Sequence, residues 1–191
     1  MVTVLDLDSG SRASHRFNGE PPDAAQPSSW SRPDTLAAVC AALLLALLLR
    51  HVIAGEVFFY GDFSQLFEPL RQCVHDAAAD GQLLWNPHLS NGAPMLANPL
   101  YGVSYLPTLL GVLMSPARGL TMLSIAHLLW GALGAWLLIR AWGCGGPARW
   151  TGAAVFTLAG TTLSSTALIN IGWSVSWIPW LLLSHDCLGR S

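Results

Sequence analysis

Residues 35–54 read TLAAVCAALLLALLLRHVIA, twenty positions with no acidic side chain and formal charge only at Arg50. Wound as a helix, such a stretch is about 30 Å long, which matches the hydrocarbon thickness of a bilayer. Arg50 and His51 fall near its end, where a long cationic side chain can reach the headgroups. The run starts too far from Met1 to resemble a cleaved signal peptide, so an uncleaved anchor is expected. Three more apolar stretches follow. Residues 119–139 carry no formal charge and a single His127. Residues 150–169 are crowded with small side chains (Gly152, Ala153, Ala154, Gly160, Ser164, Ser165), which let helices approach closely. Residues 173–188 open with Trp173, Trp177 and Trp180 and contain Pro179, a bend signal. The pattern predicts an all-α, polytopic integral membrane helix bundle with about four transmembrane helices.

Composition agrees with that class. Hydrophobic residues make up 52% of the 191 and charged residues 10%, against roughly 25% charged in soluble globular domains. All nine basic residues are arginines, and the net charge is -2. No basic cluster is available to neutralise a run of phosphates, so a nucleic-acid partner is not expected. Cys40, Cys73, Cys144 and Cys187 are widely spaced, and buried free thiols are the favoured reading over disulfides or a metal. Residues 1–33 are rich in Ser, Pro, Asp, Arg and Gly without hydrophobic period and read as a disordered cytoplasmic tail. Residues 34–191 form the transmembrane domain. With the amino terminus inside, six arginines (12, 16, 32, 140, 149, 190) are cytoplasmic and three (50, 71, 118) are not, in line with the positive-inside tendency. Residues 55–118 then form an extracytoplasmic loop. Within it, residues 101–115, interrupted by Pro107, are too short for a comfortable crossing and are assigned as interfacial or re-entrant.

That loop holds the candidate chemistry. Phe63, Leu66, Phe67, Leu70, Cys73, Val74 and Ala77 recur at helical steps, with Gln65, Glu68, Arg71, Gln72, His75 and Asp76 assigned to the opposite face. An amphipathic helix is expected there, its regular part opening at Pro69 and stopped by Gly81. Asp62 has two readings: a general base or cation-holding carboxylate, or a helix cap with Gln65 three positions on. Glu68 has the same ambiguity, since acidic residues favour a first helical turn. Trp85 suits either a sugar face or a membrane interface, and His88 either a ligand or acid role or a surface position. His127, inside an apolar stretch, is expected to make a structural hydrogen bond. No nucleotide-binding glycine pattern, nucleophile elbow or HExxH motif is present.

The series GDFSQLFEPLR (61–71) and GQLLWNPHLSNGAPMLANPLYGVSYLP (81–107), followed by HLLWGALGAWLLIRAWG (127–143) and SWIPWLLL (176–183), resembles the amino-terminal part of the YfhO family of bacterial membrane proteins. The resemblance covers about residues 35–188. It implies a polytopic glycosyltransferase of GT-C type in the bacterial inner membrane. Such an enzyme uses a polyprenyl-phosphate sugar donor and a cell-envelope glycan or lipid acceptor at the extracytoplasmic face. By the same resemblance Asp62 is the catalytic candidate. Arg50, Glu68, Trp85, Asn86 and His88 are the residues assigned to substrate binding, with Arg50 placed to pair with the donor phosphate. Family members carry many more spans, so the chain reads as an amino-terminal part, a truncated frame or a short relative. A non-enzymatic transport or envelope-assembly component is the alternative. No metal ligand is assigned, and the sequence names no cofactor and leaves a metal requirement open.

Overall fold

The computed structural model describes residues 32–89 and 91–189. All but the last two residues of the expected tail therefore lie outside the described residues, and those two already belong to a helix. Of the described residues 72% are helical. Helix α1 (Arg32–Leu48) carries Asp34 in its first turn, where a carboxylate complements the helix dipole. Leu49 departs from helical geometry and α2 (Arg50–Ile53) follows. Backbone bonds Leu49 N–H to Leu45 O (2.9 Å) and Ile53 N–H to Leu49 O (2.8 Å) run across the irregularity. The two helices thus form one distorted rod, roughly 33 Å long at 1.5 Å per residue.

Residues 55–115 make a small folded unit of their own. A π-helical turn, Phe63–Phe67, leads directly into α3 (Glu68–Ala79), with Pro69 in the first turn, where a missing amide hydrogen costs nothing. Gly81 at φ +69° ends it. A two-residue hairpin pairs β1 (Trp85–Asn86) with β2 (Ala93–Pro94), Trp85 opposite Pro94 and Asn86 opposite Ala93. A 3-10 turn at Pro99–Tyr101 is capped by Asn98, whose side-chain oxygen accepts from Leu100 N–H at 3.0 Å. The segment expected to be interfacial or re-entrant contains only this turn's end and α4 (Leu106–Gly111).

The unit rests on α5 (Pro116–Ala141), the hub against which α3, α4, α6, α8 and α9 pack. Helix α4 comes within backbone contact of α5: a Cβ at Gly119 would lie 2.7 Å from Gly111 O, so the crossing needs glycine there. Among the described residues α5 is the one helix long and apolar enough to cross a membrane. The other three stretches expected as spans are not single continuous helices. The second half of the chain forms α6 (Gly146–Leu158), α7 (Gly160–Ser165), α8 (Ile169–Val175) and α9 (Ile178–Gly189). Ala159, at ψ 134°, divides the stretch expected over 150–169. Thr162, Leu163 and Trp173 carbonyls accept hydroxyl bonds from Ser165, Thr166 and Ser176 at 2.6–2.7 Å. Such bonds draw carbonyls away from the helical ladder, and Pro179 has no amide hydrogen with which to continue it. The breaks at 166–168 and at Ser176 follow from residues that hydropathy scores as span-compatible.

Two apolar clusters hold the unit in place. Phe63, Phe67, Leu120, Ile169 and Trp173 form one, joining the π-turn to α5 and α8. Val74, Met95, Tyr101 and Val103 form the other, between α3 and the hairpin region. Stacked indoles of Trp130 and Trp180 (4.1 Å between centroids) fasten α5 to α9, with Trp180 Nε1–H donating to Trp130 O at 3.0 Å. The four cysteines are free, as expected of thiols, but none is buried: Cys40 and Cys187 are exposed and the other two partly so.

Candidate functional site

The first consequence of this packing concerns Arg71. Its spacing from Phe63 and Phe67, and to Val74, puts it on the stripe of the helix that faces the core rather than on the polar face assigned from residue type. It is only 8% exposed. One terminal nitrogen, Nη1, donates to the Tyr101 carbonyl. The guanidinium carbon sits 5.7 Å from the centre of the Trp173 ring, a cation–π distance. Nε–H is buried without a partner. Among the described residues no carboxylate pairs with this cation.

Burial alone pushes the Arg71 pKa down to about 10, so the group stays cationic at neutral pH. The sign of the linkage is unfavourable. An unfolded arginine holds its proton more tightly, so the cost of burying the cation is present throughout the range below about 10. It is relieved only as pH rises above that value.

Arg71 opens on a cleft of about 190 Å³ walled by Phe67, Tyr105, Asn170, Trp173, Ser174 and Trp177. No acidic side chain lines it. Its aromatic wall is itself held in register. Trp173 stacks on His127 with ring centres 4.5 Å apart and planes 3° from parallel. His127 bonds the Leu123 carbonyl through Nδ1 and the Tyr105 hydroxyl through Nε2, both at 2.7 Å. A ring that gives Nδ1–H to a carbonyl accepts the Tyr105 proton at Nε2 when neutral, which fixes the tautomer. The histidine expected to make a structural hydrogen bond makes two.

Gly102 supplies the space in which the guanidinium lies. Its φ is +61°, and a Cβ there would stand 2.7 and 2.8 Å from Arg71 Nη1 and Nη2. Gly102→Ala is therefore expected to lower stability by about 1–3 kcal/mol through left-handed strain, plus displacement of Arg71. Thermal unfolding of the detergent-solubilised protein would read this, and an unchanged midpoint would contradict it.

The residues singled out from sequence are dispersed. Asp62 is exposed at the start of the π-turn, and its side chain makes no cap bond. The capping reading of this carboxylate is thus not realised. Asp62 is not a lining residue of the cleft, but the next residue, Phe63, packs with Phe67 and Trp173 of its wall. Glu68 is partly exposed at the N-terminus of α3. Arg50 lies elsewhere: its Nε–H donates to His51 Nε2 at 3.1 Å, and His51 Nδ1 meets Glu56 Oε1 at 3.1 Å. Trp85 is half exposed and covers Gly92 so closely that a Cβ there has no room. Asn86, expected to touch substrate, is 4% exposed. Its amide donates to the Tyr101 hydroxyl at 3.0 Å and its oxygen accepts from His88 N–H at 2.8 Å. It therefore holds Tyr101, whose carbonyl in turn holds Arg71. His88 contributes its backbone here, while its side chain is exposed. Among the described residues no hydrogen bond joins Asp62, Arg50 and Trp85 to one another.

No family model, curated protein or solved structure matches the chain. The site must be read from its own chemistry. Among the described residues no group of three or more His, Cys, Asp or Glu side chains gathers to hold a metal. A second, larger furrow of about 550 Å³ runs between α1, α5 and α6, lined by residues such as Ala41, Leu45, Leu133, Trp136 and Leu158. Its lining carries no charged side chain and provides apolar contact only. The Arg71 cleft is the place where a fixed charge, hydroxyls and aromatic faces meet.

Proposed function

We propose that the chain is the loop-bearing part of a polytopic bacterial inner-membrane glycosyltransferase, of the kind its YfhO-like motifs suggest. It would transfer a sugar from a polyprenyl-phosphate donor to a cell-envelope glycan or lipid acceptor at the extracytoplasmic face. The observation that carries this reading is Asp62. Its carboxylate is exposed and free of any capping bond, one residue from the cluster that walls a cationic cleft. Supporting it, the helices around α5 leave large apolar side chains uncovered, including Leu43, Val155, Leu181 and Leu182. Lipid solvates such faces without cost, whereas water does not. In this reading the distorted α1–α2 rod, α5, and the broken pairs α6–α7 and α8–α9 cross the bilayer. Helix breaks at membrane depth are tolerated where neighbouring protein satisfies the freed backbone groups.

The chemistry follows from the donor. Asp62 accepts the proton of the acceptor hydroxyl as that oxygen attacks the anomeric carbon from the side opposite the phosphate. The new C–O bond forms as the bond from the anomeric carbon to the phosphate oxygen breaks. The electron pair leaves on the phosphate, the sugar is inverted, and polyprenyl phosphate is released. Arg50, Glu68, Trp85 and His88 remain candidates for contacts to the sugar or acceptor, while Asn86 acts through Tyr101.

Reconstitution in vesicles with a radiolabelled polyprenyl-phosphate sugar and an envelope-lipid acceptor tests the reading. Label should appear in the acceptor only when protein and donor are both present. Absence of transfer, with solute flux across the same vesicles, would favour a transport or assembly component instead.

A further inference from the structure

We infer that the Arg71 cleft is an oxyanion receptor and that its ligand is the phosphate ester of the lipid-linked donor, which makes Arg71 rather than Arg50 the phosphate-binding residue. Naming the donor rests on the function proposed above; the anion site itself rests on geometry. Taking a guanidinium out of water costs several kcal/mol unless charge and hydrogen bonds replace the lost hydration. Here one donor meets a carbonyl and an indole covers the cation, yet Nε–H has no partner and no carboxylate is paired with the group among the described residues. The fold nevertheless devotes a left-handed glycine, the Tyr101 carbonyl and the Asn86–Tyr101 bond to holding it in place. A phosphate would complete the arrangement. Arginine's planar fork matches two phosphate oxygens at once, and the exposed Asn170 side chain stands at the rim as a neutral hydrogen-bonding group.

Arg50 is poorly suited by comparison. It is exposed, and its Nε–H is already bonded to His51 within a chain that ends on Glu56, a carboxylate that would repel a phosphate. The difference between the two arginines is thus one of local charge: Arg50 is partly neutralised and hydrated, Arg71 is neither.

Tryptophan fluorescence of the full chain in a phosphate-free maltoside detergent reads the site directly, because Trp173 and Trp177 line it. Polyprenyl monophosphate and inorganic phosphate are titrated separately, with chloride as the control anion. The expected result is a saturable change with polyprenyl monophosphate at lower concentration than with inorganic phosphate. Equal potency of the two would assign the site to free phosphate and overturn the lipid-linked ligand. Arg71→Gln should weaken binding about tenfold or more, since a charge-assisted contact is lost. Arg50→Gln should leave it unchanged. Asn170→Asp, at an exposed position on the rim, introduces a repelling charge without disturbing the buried cation and should weaken binding similarly. Wild-type titrations from both Arg71→Gln and Asn170→Asp, or no saturable response to either phosphate, would overturn the proposal. Asp62→Asn separates the two ideas: binding should persist in it. If vesicles show no sugar transfer but binding still depends on Arg71, the transferase reading fails and the anion site stands. If transfer occurs and is as fast in Arg71→Gln as in the wild type, the site proposal fails alone.

Discussion

Asp62→Asn is expected to reduce sugar transfer by about two to four orders of magnitude, the usual contribution of a positioned general base. The amide keeps the size of the side chain but cannot accept the acceptor's proton. Because Asp62 is exposed and makes no cap bond, its replacement should leave folding, membrane insertion and abundance as they are. A capping carboxylate would behave differently: its loss would cost about 1 kcal/mol of stability and leave catalysis nearly intact. Comparing transfer rate with thermal midpoint in the same preparation therefore separates the two roles of this side chain. Wild-type transfer in Asp62→Asn would remove it from the mechanism.

Trp173→Ala should produce the largest loss of stability, about 3–5 kcal/mol, as for other buried aromatic residues truncated to alanine. Trp173 touches more of the architecture than its 9% exposure alone suggests. It packs with Phe63, Phe67, Leu120 and Ile169, stacks flat on His127, and lies over the Arg71 guanidinium. Its indole Nε1–H also reaches Ser124 Oγ at 3.4 Å, across to α5. Removing it would open a void where the π-turn, α5 and α8 converge and would strip the cover from a buried cation. Trp173→Phe should recover a large part of the loss, since an aromatic ring stays over Arg71. Equal unfolding midpoints for Trp173→Ala and the wild type would show that this convergence contributes nothing to the fold.

How far the residues announce these features differs by feature. The apolar stretch that becomes α5 is uniform in composition, and its span of 119–139 sits inside the observed Pro116–Ala141. The helix opening at Pro69 and closing at Gly81 is equally legible, because a ring without an amide hydrogen and a left-handed glycine act locally. The breaks at 166–168 and Ser176 are not, since hydropathy sees side-chain transfer and not hydroxyls that compete for carbonyls. Arg71 is the instructive miss. Residue type placed it on the wet face, while its spacing with Phe63, Phe67 and Val74 already placed it on the dry one. The periodicity was the better guide, and charge misled. Asn86 illustrates the complementary case: a polar side chain in a loop looks available until a distant hydroxyl, here Tyr101, claims it.

The region between α2 and α5 is stitched down where it leaves α2. Phe58 N–H donates to Thr121 Oγ1 at 3.0 Å, and the Tyr60 and Thr166 hydroxyls meet at 2.6 Å. A segment tied in this way arrives at its ligand already shaped, so little ordering entropy remains to be lost on association. Recognition should then resemble a key entering a fixed lock, with affinity set chiefly by how slowly the guest departs.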